Sequence, residues 1–152
     1  MNNTRKFKKI ADLFTILYKQ NDIYHKQCTN LGRSECNMVT FLNSVNKPVC
    51  MKELAEELCV TQSRITRLVD SLVAKGFVNR SVSKQDRRKY LASISKYGKK
   101  VNNQVSDELQ QIHKDIVKAL PTEKLDDVYE CLTLYLDIYF AVLKKKGIKY
   151  ES

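Results

Sequence analysis

Side chains that bind phosphates and base edges gather in one short stretch of this sequence. After Thr61, a segment with a helical apolar stripe carries polar groups on its opposite face, at Gln62, Ser63, Arg64, Arg67 and Ser71. Amides and guanidinium groups form paired hydrogen bonds with base edges, and hydroxyls and arginines also bind phosphates. Thr61 is placed to cap this helix, which would leave free N–H groups of the first turn near a phosphate. The pattern predicts a helix that enters the major groove of duplex DNA.

A second basic cluster follows, in a segment that predicts a β-hairpin. Short β-prone stretches at 77–82 and 89–94 flank a charged turn. The basic residues of this turn are Lys84, Arg87, Arg88 and Lys89. Arginine suits a narrow minor groove, whose negative potential is enhanced, so the hairpin is predicted to lie along the DNA. Asp86 would repel phosphate if it were exposed, and we therefore expect it to pair with a neighbouring arginine and fix the shape of the turn.

The positive charge of the chain is concentrated around these two clusters. The 152 residues carry a formal net charge of +10, and residues 61–100 alone contain eleven Lys or Arg against two Asp or Glu, a net of +9. The other residues carry sixteen basic and fifteen acidic side chains, a net of +1. An ordinary solvated helix face would mix both signs more evenly. The local excess predicts a surface patch for a polyanionic partner.

Patterns of helical spacing extend over most of the remaining chain. An apolar stripe runs through residues 7–24, and two more run through the segments before and after Pro121. A shorter helix is predicted to begin at the N-cap Ser34. Residues 51–58 give another, which a three-residue break separates from the helix after Thr61. With the hairpin, this order predicts a mainly α protein with a small β-hairpin.

The central region resembles the multiple antibiotic resistance regulator (MarR) family. The similarity rests on the segments MKELAEEL (51–58), VTQSRITRLVDSLVAKGFVNR (60–80) and DRRKYLASISKYG (86–98). The last segment follows the family's wing pattern at Asp86, Arg88, Leu91, Ile94-Ser95 and Gly98. Two residues depart from the family pattern. Cys59 stands in the tight turn where glycine is common, and Ser95 replaces a threonine but keeps a hydroxyl that can cap the next helix.

The resemblance implies a winged helix-turn-helix DNA-binding lobe over residues 34–98, flanked by dimerisation helices over 5–30 and 99–147. It also implies a homodimer that binds a pseudo-palindromic operator in double-stranded DNA and regulates transcription, by the family's usual mode as a repressor that a small molecule releases. The apolar stripes of the first and last helices independently favour a partner, because one small domain would leave them in solvent.

The resemblance leaves the signal open, with a small lipophilic or phenolic effector as the family's default. The cleft that binds this effector would lie between the dimer helices and the DNA-binding lobe. The side chains expected to line it are Phe14, Tyr18, Met38, Phe41 and Leu42. An aromatic stripe at helical spacing is more often plain core, which is the competing interpretation of these residues.

A metal- or thiol-responsive regulator of the same fold is one alternative. His25 and Cys28 lie three residues apart on one predicted helix, and Cys36 follows a short connection, so the three could hold zinc or part of an iron–sulfur site. The chain has only two histidines and no CxxC pair, so the sequence predicts no metal and no cofactor. Buried cysteines commonly act as small apolar residues. A winged-helix module that binds protein instead of DNA is the other alternative.

No group of residues suits catalysis or membrane insertion. His25 and His113 lack a matched carboxylate, and the sequence has no glycine-rich phosphate loop, so an enzyme is not predicted. The polar start MNNTRKFKK does not suit a secretion signal, and the most apolar segment, 131–143, is too short to span a bilayer. We therefore expect a cytoplasmic protein whose five cysteines are reduced.

Overall fold

A computed structural model describes residues 3–148, and its elements follow the predicted order. They are α1 (Asn3–Thr29), α2 (Arg33–Val45), β1 (Val49–Cys50), α3 (Met51–Glu57), α4 (Gln62–Ala74), β2 (Val78–Val82), β3 (Tyr90–Ile94), α5 (Lys96–Ala119) and α6 (Thr122–Lys145). Helices α3 and α4 form the helix-turn-helix, and β2 and β3 form the hairpin, here called the wing. The predicted fold class, mainly α with a winged helix-turn-helix, is confirmed.

The wing belongs to a three-stranded antiparallel sheet in the order β1-β3-β2. Its two long strands pair from Val78 opposite Ile94 to Val82 opposite Tyr90. The first strand, which places Val49 opposite Ala92 on β3, was not predicted. Two residues are too few for an alternating pattern to show in a sequence.

The core of the winged helix-turn-helix region lies where α2, α3 and α4 meet the sheet. Its largest fully buried side chains are Met38, Leu42, Leu54, Ile65, Leu72, Val49 and Val69. The stripe of α4 at Ile65, Val69 and Leu72 is thus turned inward, as its spacing predicts. The opposite face of α4 is consequently left for solvent or a partner.

Most of the helix and turn signals act as the sequence predicts. Thr61 Oγ1 accepts the backbone N–H of Arg64 at 3.4 Å and caps α4. Gly76 has a φ of +79° after α4, and Ser95 Oγ accepts the N–H of Gly98 at 2.8 Å at the start of α5. Cys59 adopts a φ of +51° in the helix-turn-helix turn, in the left-handed region where glycine is the usual residue.

The predicted N-cap of α2 is wrong by two residues. The cap is Gly32, whose N–H donates to Glu35 Oε2 at 2.9 Å, and not Ser34. The Glu35 carboxylate reaches back across the first turn, which is one half of a capping box, and this contact lets the helix begin before Ser34.

The chain divides into two compact units, with the boundary inside α5 after Asp107. In the first unit, α1 leaves large apolar side chains such as Leu13 and Leu17 exposed. In the second unit, α6 has no buried residue among those described, and Tyr129, Leu132 and Leu136 are exposed. No described helix has an apolar stretch of the length that crossing a bilayer requires.

Candidate nucleic-acid interface

Helix α4 presents the polar residues that the sequence singles out. Gln62, Ser63, Arg64 and Arg67 are all exposed, while the buried stripe fixes the helix on the core. Arg67 lies on the outward side of the helix. Arg64 is turned toward α2, where its Nη2 donates to Ser34 Oγ at 3.2 Å.

Two further residues of α4 refine the sequence prediction. Thr66 is exposed on the outward face, although the sequence analysis left it out, and its Oγ1 donates to the carbonyl of Gln62 at 3.1 Å. Ser71 was predicted for the outward face, and this prediction is wrong: Ser71 turns inward and donates its hydroxyl to Glu35 Oε1 at 2.7 Å. A buried carboxylate needs donors, and this hydroxyl is one of them.

The turn of the wing places its basic side chains in solvent. Lys84, Arg87, Arg88 and Lys89 are all exposed. Asp86 is half-buried and accepts the backbone N–H of Arg88 through Oδ1 at 3.0 Å, while its Oδ2 lies 3.7 Å from Lys89 Nζ. The expected pairing of Asp86 with an arginine side chain is therefore wrong. An aspartate in a tight turn reaches the N–H two residues onward more readily than a long side chain.

A contact that the sequence analysis missed joins α4 to the wing. Arg80 Nη1 on β2 donates to Asp70 Oδ1 on α4 at 2.8 Å, and its guanidinium carbon lies 4.1 Å from the ring centre of Tyr90 on β3. Asp70 is the one acidic residue of α4. The signal that could have revealed this contact is that an acidic residue inside a basic patch needs a partner.

The charges of this region leave a positive surface. Asp70 pairs with Arg80, and Asp86 lies beside Lys89. No ion pair joins a carboxylate of residues 3–148 to the side chain of Arg64, Arg67, Arg87 or Arg88. The arginines of α4 and the turn are therefore exposed, and no acid within residues 3–148 neutralises them.

The residues predicted to line a lipophilic cleft differ in how deeply the structure buries them. Met38 and Leu42 are fully buried in the core, and Phe41 is partly buried against it. Phe14 is half-buried and Tyr18 is exposed. A pocket of about 260 Å³ does lie between α1 and α2. The residues that line it are mostly of polar type, and they comprise Tyr18, Asn21, Asp22, His25, Arg33, Cys36, Asn37 and Thr40.

One ion pair dominates this pocket. Arg33 Nε donates to Asp22 Oδ1 at 2.8 Å, and a second guanidinium nitrogen donates to Oδ2. The hydrogen bond from Arg33 holds the pKa of Asp22 below its ordinary value. The pair is exposed to solvent, so it contributes little to stability.

The alternative metal site is not assembled. No three His, Cys, Asp or Glu side chains of the described residues come together in a way that could hold a metal ion, so His25, Cys28 and Cys36 do not form one. Burial raises the pKa of the Cys36 thiol, and this outweighs the opposing effect of its contact with Thr29. A protonated thiol is a poor nucleophile and a poor metal ligand, which counts against Cys36 as a reactive sensor.

A helix-turn-helix whose second helix is capped, followed by a basic wing, defines a winged helix-turn-helix protein. Residues 44–90 match the model of the MarR family, in agreement with the resemblance described above. The matched model describes a family of transcription regulators, which agrees with the prediction that the chain is not an enzyme.

The chain is also similar to regulators of known sequence or structure. It is 30% identical over 84 residues to the HTH-type transcriptional regulator YfiV of Bacillus subtilis (strain 168), a match that spans 55% of this chain and 52% of that protein. The chain thus spans about half the length of this curated relative.

Two solved structures share the fold along nearly the whole chain. One is MepR, a transcription regulator of the Staphylococcus aureus multidrug efflux pump MepA, with a TM-score of 0.75, 16% identity, and coverage of 91% of this chain and 99% of that one. The other is Streptococcus pneumoniae FabT in complex with DNA, with a TM-score of 0.71, 17% identity, and coverage of 93% and 99%. At these identities the likeness shows the fold.

Proposed function

We propose that this protein is a homodimeric regulator of transcription that binds double-stranded DNA through α4 and the wing. The observation that carries the proposal is the set of exposed arginines on these two elements, unpaired by the described carboxylates, within a winged helix-turn-helix. The complex of FabT with DNA supports it, because that protein shares this fold.

Within this proposal, α4 and the wing have different tasks. Arg67, Gln62 and Ser63 lie on exposed positions of α4 and meet base edges in the major groove. The first turn of α4, capped by Thr61, offers free backbone N–H groups to a phosphate. The exposed basic residues of the wing, Lys84, Arg87, Arg88 and Lys89, follow the backbone and the minor groove.

The apolar faces of the flanking helices support a homodimer. Side chains such as Leu13 and Leu17 on α1, and Tyr129, Leu132 and Leu136 on α6, are exposed in the single chain. A second copy offers the same apolar faces, so the two would cover each other, which gives the helices at 5–30 and 99–147 their dimerisation role. Two-fold symmetry then requires a pseudo-palindromic operator with half-sites about one helical turn apart.

We further propose that the protein represses transcription and that a small effector releases it from DNA, as is usual in the family it resembles. The polar pocket between α1 and α2 suits an effector that forms hydrogen bonds better than a purely lipophilic one. A regulator of transcription acts where the chromosome lies, so the proposal includes a cytoplasmic location.

The test is binding to a duplex that the protein itself selects. Repeated selection from a pool of random-sequence duplexes should enrich a pseudo-palindrome, and fluorescence anisotropy should then give its affinity at several salt concentrations. For contacts with six or more phosphates, the logarithm of the affinity should fall with the logarithm of salt with a slope steeper than about −5. A flat salt response, or no enriched duplex, contradicts DNA binding and favours a protein-binding module.

A further inference from the structure

The first turn of α2 contacts the recognition helix α4 through two successive residues. Ser34 Oγ accepts from Arg64 Nη2 at 3.2 Å, near the start of α4. The neighbouring Glu35 contacts the other end of α4, at Ser71 and Lys75. One helical turn of α2 therefore holds α4 at both ends.

Glu35 is the centre of this contact. It is 9% exposed, and Lys75 Nζ donates to both of its carboxylate oxygens at 2.8 Å. The Ser71 hydroxyl donates to Oε1 at 2.7 Å, and the Gly32 N–H donates to Oε2 at 2.9 Å. Lys75 Nζ also reaches the carbonyl of Asn30 at 3.4 Å. We call Glu35, Ser71 and Lys75 the α2–α4 clasp.

The partners of α2 share one side of α4. Ser71 and Lys75 follow Arg64 by seven and eleven residues, which is close to two and three helical turns, so all three lie on one face. That face adjoins the buried stripe of Ile65 and Leu72. The apolar stripe packs α4 against the core, and the clasp adds polar contacts that depend on where α4 lies along its own axis.

The buried carboxylate of Glu35 favours one position of α4 over others. Burial by itself would raise the pKa of Glu35, but the hydrogen bonds from Lys75, Ser71 and Gly32 outweigh burial and hold the pKa below its ordinary value. Glu35 is therefore charged at neutral pH, and a charge with so little solvent cannot lose its donors without a large penalty. Sliding or tilting α4 would separate Ser71 and Lys75 from Glu35 together.

This inference rests on the proposed function, in which Glu35 contacts no DNA. We propose that Glu35 is a positioning residue for sequence recognition. Through Ser71 and Lys75 it sets the register in which the outward residues of α4 meet base edges. Hydrogen bonds to bases depend steeply on distance and angle, whereas contacts with phosphates tolerate small shifts. Loosening the clasp therefore lowers discrimination between DNA sequences more than it lowers binding to DNA in general.

The test compares two variants that remove the same charge from a carboxylate paired with lysine. Glu35→Gln acts on the clasp. Glu56→Gln acts on an exposed pair in α3, where Lys52 Nζ lies 3.8 Å from Glu56 Oε1. For each full-length variant, fluorescence anisotropy gives the affinity for the duplex selected by the wild-type protein and for a scrambled duplex of equal length and composition. The ratio of the two affinities is the readout.

Glu35→Gln should lower this ratio about tenfold, the effect of one hydrogen bond to a charged group, with the affinity for scrambled duplex and its salt slope unchanged. Glu56→Gln should leave the ratio unchanged. The proposal is overturned if Glu35→Gln has the same ratio as the control. It is also overturned if the affinities for the selected and the scrambled duplex fall equally, because a smaller folded fraction lowers both alike. Absence of specific binding by the wild-type protein overturns the proposed function itself.

Ser71→Ala keeps the proposal testable if Glu35→Gln does not fold, since it removes one hydroxyl and leaves the ion pair. It should lower the ratio in the same direction but less. Lys75→Met, which keeps the apolar stem, completes a double-mutant cycle with Ser71→Ala. If Ser71 and Lys75 both act through the Glu35 carboxylate, the effects of the two substitutions on the affinity ratio should be non-additive. Additive effects would overturn the shared role of Glu35.

Discussion

The winged helix-turn-helix region and the flanking helices expose side chains of opposite character. On α4 and the wing turn the exposed groups are mostly basic or hydroxylic, held by a closed core beneath them. On α1 and α6 the exposed groups include many large apolar side chains, and α6 buries none of its described residues. Water is a good solvent for the first surface and a poor one for the second. The first surface is thus complete in the single chain, whereas the second needs another apolar surface.

The largest effect should come from the apolar surface. Leu132→Glu combined with Leu136→Glu removes two exposed leucines from one side of α6 and puts charges in their place. Burying each leucine in a dimer contributes about 1.5–3 kcal/mol, and each is used twice by symmetry. We expect a monomer by light scattering and loss of affinity for the selected duplex.

The control for this variant is Gln110→Glu on α5, which adds a negative charge without removing apolar surface. It should remain a dimer and bind DNA. If the double variant stays dimeric with unchanged affinity, α6 is not the dimer interface and its apolar surface has another role.

The contrast between the two regions also explains what a sequence can predict. The apolar spacing of Ile65, Val69 and Leu72 identifies the inward face of α4, because helix periodicity links residues within one element. Gly76 and Thr61 act through their nearest neighbours, so their roles are visible locally. Met38, Phe41 and Leu42 share the same periodicity, but periodicity does not distinguish core from the wall of a cleft.

What the sequence could not predict are contacts between distant segments. Glu35 meets Ser71 and Lys75 thirty-six and forty residues away, and nothing in the spacing of one helix indicates such a partner. The Asp70–Arg80 contact is nearer in sequence but crosses from a helix to a strand. The polar pocket likewise depends on how α1 and α2 are placed against each other.

Within the basic surface, the next effect should come from Arg67 on the outward side of α4. Arg67→Ala should cost about 1–3 kcal/mol of affinity for the selected duplex, the contribution of a paired contact with a base. Because scrambled duplexes lack that base contact, their affinity should fall less. The same anisotropy measurement on both duplexes checks this, and an equal loss on both would assign Arg67 to a phosphate instead.

Arg88 in the wing turn should behave differently. Arg88→Ala should lower affinity for selected and scrambled duplexes by the same factor and make the salt slope shallower by about one, because one phosphate contact is lost. A change in sequence preference would contradict the division of tasks between α4 and the wing. Lys114→Ala, which removes an exposed charge from α5, should change neither quantity.

The smallest effect should come from Asp86, where charge and geometry act in opposite directions. Asp86→Ala removes a negative charge from a basic turn, which by Coulomb attraction alone would tighten DNA binding. It also removes the acceptor for the Arg88 N–H, which holds the turn in shape. We expect the geometric effect to win and binding to weaken by about 0.5–1.5 kcal/mol, the usual contribution of one hydrogen bond. Asp107→Ala, an exposed acid on α5, gives the same charge change without the turn and should not weaken binding. Tighter binding of Asp86→Ala would mean that the wing recognises DNA by charge alone, whatever the shape of its turn.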